Sequence, residues 1–327
     1  MTLFSLDDLA IAATAVRALV PPTPAYAWPL LARRTGVNVI VKHENHTLTG
    51  SFKARGGLSY VDALQRSNML PKGLITATRG NHGQSIAIGA KRAGIPAAIV
   101  VPEGNSAEKN AAMEAFGGEL TIAGRDFDES RAIARHLQSE KDLHFVPSFH
   151  RDLVVGVATY GRELFADHSC LDAVYVPIGM GSGICGLITV RDLLGLKTEI
   201  IGVVSDQAPA FALSFEAGRP ISTETAQTFA DGLACREPQA EPLEIIRKGA
   251  SRLVRVTDNE IAAAMRLLYV DTHNIAEGAG AAALAALIKE KLSFQGRRVA
   301  VILTGGNIDM PVFVRVLQGE TPKVRPR

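Results

Sequence analysis

The segment Gly50-Ser51-Phe52-Lys53-Ala54-Arg55-Gly56-Gly57 puts a lysine behind a Gly-Ser turn at a helix start. The positive end of a helix disfavours a nearby cation and lowers its pKa. A lysine so depressed is partly neutral, and a neutral amine forms an imine with a carbonyl. A solvated surface lysine is the alternative. Thr78-Arg79-Gly80-Asn81-His82-Gly83-Gln84 follows an apolar run and opens a second helix. Its free N–H groups suit an anion such as a carboxylate, and Asn81 adds a donor; a plain strand–helix turn is the alternative. Gly179-Met180-Gly181-Ser182-Gly183 again lies between an apolar run and a helix. Glycines let the backbone wrap a phosphate closely. No lysine stands at the Walker position, which argues against a nucleoside triphosphate. Thr304-Gly305-Gly306-Asn307 ends a last apolar run, where a hydroxyl can meet a flat ring edge-on. The third loop also fits a rival. Gly181-Ser182-Gly183-Ile184-Cys185-Gly186 satisfies G-x-G-x-x-G, with Asp206 about where a ribose-binding acid belongs. An NAD-dependent dehydrogenase would use both, but would leave Lys53 and Asn81 without a task.

The elements that must position these residues alternate between strand and helix. Residues 37–42, 74–78, 97–101, 119–122, 173–178, 199–205 and 298–303 read as strands. Residues 84–92, 106–116, 127–139, 184–194, 258–270 and 280–292 read as helices, and Ser5 with Asp8 starts another that runs through 9–19. Such alternation predicts an α/β protein with mostly parallel sheets flanked by helices. Two glycine-loop units, around Gly80 and Gly179, predict two lobes with a cleft between them, since ligands bind beyond the carboxyl ends of such strands.

Composition narrows the partners. The chain has 327 residues, 47% hydrophobic and 21% charged, with a net charge of +2. That is enough for two cores. It offers no field for nucleic acid or an anionic membrane, and the one basic cluster, residues 323–327, reads as a solvated tail. No apolar stretch approaches the length of a membrane span, and Asp7 and Asp8 spoil a signal peptide. Three cysteines, Cys170, Cys185 and Cys235, form no C-x-x-C pair. Buried, reduced thiols and a cytoplasmic setting are expected.

Taken together, the four segments are what one cofactor requires: a Schiff-base lysine, an asparagine loop, a phosphate cradle and a hydroxyl at a ring edge. The set resembles the fold type II pyridoxal-phosphate enzymes, especially the threonine dehydratase and serine racemase group. Lys42 and Glu44 ahead of the lysine motif share the likeness, as do Ala230-Asp231-Gly232-Leu233-Ala234 and Val256-Thr257-Asp258 with Glu260-Ile261. It extends from Thr23-Pro24 to Asn307. The resemblance implies a tryptophan synthase β-like fold, with a large cofactor-binding domain of residues 1–48 and 149–327 and a small domain of residues 49–148. It implies pyridoxal 5'-phosphate on Lys53, with Phe52 packed against the ring and Asn81 on the phenolic oxygen. Gly179, Met180, Gly181, Ser182 and Gly183 would hold the phosphate, and Thr304 would meet the pyridine nitrogen. Ser51, Thr78, Arg79, Gly80, His82 and Ser148 would face a small amino-acid substrate.

The expected activity is a β-elimination: a 3-hydroxy amino acid (threonine, serine, hydroxyaspartate or a bulkier analogue) gives a 2-oxo acid and ammonia. An amino-acid racemase of the same fold is the alternative. Arg79 speaks against it, because it stands where the group's racemase carries a proton-shuttling serine, and arginine holds its proton. Val204-Ser205 and Ala210 replace the group's acidic metal ligands, leaving Asp206 alone, so no metal is expected. The chain stops soon after Asn307, which fits a catabolic enzyme without a regulatory domain. A homodimer or homotetramer is expected.

Overall fold

The computed structural model describes residues 2–323; most of the basic tail lies outside the described residues. The strands are β1 (Ala25–Ala27), β2 (Asn38–His43), β3 (Leu74–Ala77), β4 (Ala97–Val101), β5 (Gly118–Ile122), β6 (His144–Phe145), β7 (Ala173–Pro177), β8 (Glu199–Ser205), β9 (Arg252–Val256) and β10 (Arg298–Leu303). The helices are α1 (Leu6–Arg17), α2 (Pro29–Thr35), α3 (Lys53–Arg66), α4 (Asn81–Ala93), α5 (Ala107–Ala115), α6 (Phe127–Lys141), α7 (Arg151–Asp167), α8 (Ser182–Leu193), α9 (Ala210–Ala217), α10 (Ala240–Gly249), α11 (Asp258–Thr272), α12 (Gly278–Glu290) and α13 (Met310–Leu317). None of these helices is long and apolar enough to cross a membrane.

The chain divides into two compact units. The first comprises Pro22–His46 and the described chain from Tyr160 onward, with residues 2–3. It is built on a six-stranded sheet in the order β1-β2-β10-β7-β8-β9. All its neighbours run parallel except β1 against β2. Strands β2, β7, β8 and β10 are buried almost throughout, as strands covered on both faces must be. Helix α12 packs along β7, β8, β9 and β10. Its run of buried alanines, Ala281 to Ala286, lets it lie close to the sheet.

The second unit comprises Phe4–Pro21 and Thr47–Thr159. Its four-stranded sheet is wholly parallel, in the order β5-β4-β3-β6. Helices α3 and α4 cross at glycines: a Cβ on Gly57 would lie 2.0 Å from the Ser85 carbonyl oxygen, and one on Gly89 would lie 2.8 Å from the Gly57 oxygen. Gly56 and Gly156 serve α3 against α7 in the same way. The double glycine of the lysine motif is therefore a packing device.

Three expectations change. Residues 4–21 group with residues 47–159 rather than with the large unit, because Val16 and Val20 pack on Ala54 and Leu58 of α3. The boundary expected at 148 falls at Thr159, inside α7, because Gly56 and Gly156 lock the first half of α7 onto α3. Cys170 is exposed, in the loop between α7 and β7, while Cys185 and Cys235 are buried. The capping box of α1 forms as expected between Ser5 and Asp8.

Candidate active site

In the second unit Lys53 is the first residue of α3. Ser51 is fixed just before it, its N–H donating to Thr47 Oγ1 at 2.9 Å while that hydroxyl donates to the Ser51 carbonyl at 2.7 Å. Gly50 makes the turn with φ +67°. Phe52 precedes α3 without a side-chain cap, and the Lys53 Nζ stands 5.1 Å from its ring centroid. Lys53 is half-buried. Loss of water around the ammonium lowers its pKa to about 8.

The asparagine loop lies between β3 and α4. Thr78 Oγ1 accepts from the Gly80 N–H at 3.0 Å, which shapes the turn. Asn81 is the first residue of α4, three residues earlier than the helix was expected to begin. Arg79 and Asn81 are half-buried, and Thr78, Gly80 and His82 are buried. The His82 imidazole is held down to about 3, chiefly by burial and then by the charge of Lys53, against a hydrogen bond with the Val146 backbone. It is neutral at any ordinary pH. His82 Nε2 and Ser51 Oγ are buried with no hydrogen-bond partner. Buried polar atoms left so are uncommon. Ser148 is half-buried in the bend before α7.

In the first unit β7 leads into the glycine loop and α8. Ser182 is the first helical residue, and Gly181, in the left-handed region at φ +95°, precedes it. A Cβ on Gly179 would stand 2.2 Å from the Gly232 carbonyl oxygen. The Gly232 motif thus packs directly against the glycine loop, a contact its spacing did not disclose. Met180 is half-buried, and Ser182 and Gly183 are buried. Thr304 follows β10, which lies between β2 and β7, and it is 6% exposed. Lys42 and Glu44 belong to the interior of this unit. Lys42 donates to Glu163 and to the Thr23 carbonyl, each at 2.7 Å. The Thr23 hydroxyl donates to Glu44 at 2.6 Å.

Residues 16–305 match the model of a family described as pyridoxal-phosphate dependent enzyme. The chain belongs to this family. Its fold is that of the fold type II members, and the dehydrogenase reading of Gly181 to Gly186 falls away. An L-threonine ammonia-lyase of Thermotoga maritima is 32% identical over 316 residues, covering 96% of this chain and 78% of that one. An L-threo-3-hydroxyaspartate ammonia-lyase of a Pseudomonas species is 32% identical over 323 residues, covering 98% and 100%. The processed form of threonine deaminase isoform 2 from Solanum lycopersicum superposes with a TM-score of 0.89 at 30% identity, covering 96% of this chain and 87% of that one.

The residues present fit the family's cofactor. Lys53 supplies an amine partly neutral near pH 7, and a Cβ on Gly179 or Gly181 would collide with its surroundings, so the glycine loop presents bare backbone at those two positions. The unpartnered Ser51 and His82 atoms remain for what the cofactor brings with it.

Proposed function

We propose that this protein is a pyridoxal-phosphate-dependent ammonia-lyase, converting a 3-hydroxy amino acid to a 2-oxo acid and ammonia. One observation carries the reading: Lys53 is the first residue of α3, directly behind the left-handed turn at Gly50, where burial also lowers its pKa to about 8. The match to ammonia-lyases over nearly the whole chain supports it. When bound, pyridoxal phosphate supplies an aldehyde for amines and an electron sink that weakens bonds at the amino acid's Cα.

The chain's own residues do the rest. Lys53 would hold the cofactor covalently and, as a free amine, would take the Cα proton as general base. Phe52 would lie beside the ring, and Asn81 would donate to the phenolic oxygen. The backbone of Gly179, Met180, Gly181 and Gly183, with the Ser182 hydroxyl, would hold the phosphate at the positive end of α8. Thr304 would offer the ring nitrogen a neutral hydroxyl in place of a carboxylate, a choice that suits loss of the 3-hydroxyl better than transamination. Ser51, Thr78, Gly80, His82 and Ser148 line the substrate's place, and the N–H groups of α4 take its α-carboxylate. The same reading makes the protein cytoplasmic, as a homodimer or homotetramer.

A screen of threonine, serine and 3-hydroxyaspartate for 2-oxo acid release tests the activity. Release from at least one is expected, and Lys53→Ala should abolish both turnover and covalent cofactor attachment. Turnover that survives Lys53→Ala, or fast racemisation with no release, would refute the reading.

A further inference from the structure

Two motifs of the sequence have no part in the reading above: Val256-Thr257-Asp258, where α11 starts, and the segment from Ala230 to Ala234. The structure joins them. One Asp258 oxygen accepts from the Thr228 hydroxyl at 2.6 Å, with the Ser205 hydroxyl 3.5 Å away, and the other accepts from the Phe229 N–H at 3.2 Å. The Thr228 oxygen in turn accepts from the Ala230 N–H at 3.1 Å. Ala230 leads into a short 3-10 turn, Asp231–Leu233, where the Leu233 N–H donates to the Ala230 carbonyl at 2.8 Å. Gly232 sits on that turn, and its carbonyl lies against Gly179. Asp258 is thereby linked, through residues 228–232, to the glycine loop ahead of α8.

Helix α11 does not need this carboxylate for its own cap. Thr257 and Glu260 cap it reciprocally: the Thr257 hydroxyl accepts from the Glu260 N–H at 3.1 Å, and the Glu260 carboxylate accepts from the Thr257 N–H at 2.7 Å. An acidic side chain serving only the positive end of a helix would stand in water. Asp258 is half-buried, and burial, with the charge of Asp206, raises its pKa although the Thr228 and Phe229 bonds favour the charged form. Thr228 is 3% exposed. The loop also has no room toward α12. A Cβ on Gly278 would stand 2.9 Å from the Ala230 Cα, and one on Gly232 would stand 2.8 Å from the Ala279 Cβ. The loop therefore rests on the start of α12, touches the glycine loop, and is tied to Asp258 where it enters.

We infer that Asp258 is a positioning residue for the cofactor's phosphate: by holding Thr228 and Phe229 it seats the Gly232 carbonyl against Gly179, and so keeps the glycine loop in the conformation that receives the phosphate. The inference rests on the reading of Gly179 to Gly183 as the phosphate cradle. Backbone N–H groups hold an anion well when they are set before it arrives, because ordering them on binding costs affinity. Gly181, at φ +95°, is one of several conformations open to a glycine, and a loop without its brace would sample the others.

Asp258→Ala removes both acceptors, and Thr228→Val removes the hydroxyl from the loop's side at nearly constant shape. Cofactor-free protein is titrated with pyridoxal 5'-phosphate and with pyridoxal, which lacks the phosphate. Each substitution should weaken pyridoxal phosphate about fivefold or more and pyridoxal less than about twofold. Asp258→Asn keeps an acceptor for the Phe229 N–H and should fall between Asp258→Ala and the unaltered protein. The phosphorus NMR shift of the bound cofactor gives a readout apart from affinity. It should move in Asp258→Ala and Thr228→Val at saturating cofactor, whereas a general loss of stability would leave it where it is. Affinity for the two ligands falling in parallel, or a phosphate preference and phosphorus shift unchanged in either folded variant, overturns the inference. Should Asp258→Ala fail to fold, Thr228→Val decides alone. Equal affinity of the unaltered protein for pyridoxal phosphate and pyridoxal would refute the cradle reading itself, and the inference would fall with it.

Discussion

Lys53 shows how one residue's surroundings set its chemistry. An ordinary lysine is protonated in all but fewer than one molecule in a thousand at pH 7, whereas a pKa of about 8 leaves about one in ten neutral. The sign is fixed by the cause, because burial penalises the charged form and so lowers an amine's pKa. Only the neutral amine captures the cofactor. The rate at which protein stripped of cofactor takes up pyridoxal phosphate should therefore rise about tenfold per pH unit below pH 8 and level off above it. Stopped-flow absorbance would follow this. A rate still climbing through pH 10 would mean that Lys53 titrates as an ordinary lysine. His82 should not contribute to the profile between pH 5 and 9, since its pKa lies near 3.

At the scale of elements, α3 and α4 each begin with a residue of the proposed site, Lys53 and Asn81. Their bodies are pinned together where Gly57 meets Ser85. Gly57→Ala would drive a Cβ into that backbone and force the helices apart. We expect a loss of about 3 kcal/mol in denaturant unfolding, at the upper end of what overpacking costs. A loss below about 0.5 kcal/mol would show that the crossing adjusts freely. Much at this scale was legible in the sequence. The long buried strands β2, β4, β7, β8 and β10 announce themselves as apolar runs, and the capping box of α1 is written in Ser5 and Asp8. What escaped was short or mixed. β1 and β6 have three and two residues. β9, at a sheet edge, carries Arg252 and Arg255 among its apolar residues and is only partly buried. The early starts of α4 and α8 were hidden because glycines and polar residues at a helix end resemble a loop. The burial of Lys109 in α5 was missed for a different reason. A lysine in a helix is read as solvated, although its spacing of four from Met113 places both on one face. The unit to which α1 belongs was not legible at all, since periodicity reveals that a helix has an apolar face but not what that face meets.

For the whole molecule, a ligand that binds the folded chain and not the unfolded one must stabilise it by mass action. Pyridoxal phosphate at a hundred times its dissociation constant should add about 2.7 kcal/mol. The melting temperature should rise accordingly, and rise less in Lys53→Ala, which would keep the proposed phosphate contacts and lose the proposed covalent one. Differential scanning calorimetry with and without added cofactor would show this, and an equal rise in both proteins would remove Lys53 from the attachment.

The first unit's sheet also has a history written into its strand order. β2 precedes its parallel neighbour β10 by about 260 residues of synthesis, with Asn38 opposite Arg298. β1 borders β2 on the other side but is only three residues long. The apolar run Val39 to Val41 must therefore wait, with one edge open, while the residues between β2 and β10 are made. Pairings this distant close slowly, and an open apolar edge is available to other chains meanwhile. The nascent protein is thus a natural client for chaperones, and refolding yield from denaturant should fall steeply as protein concentration rises.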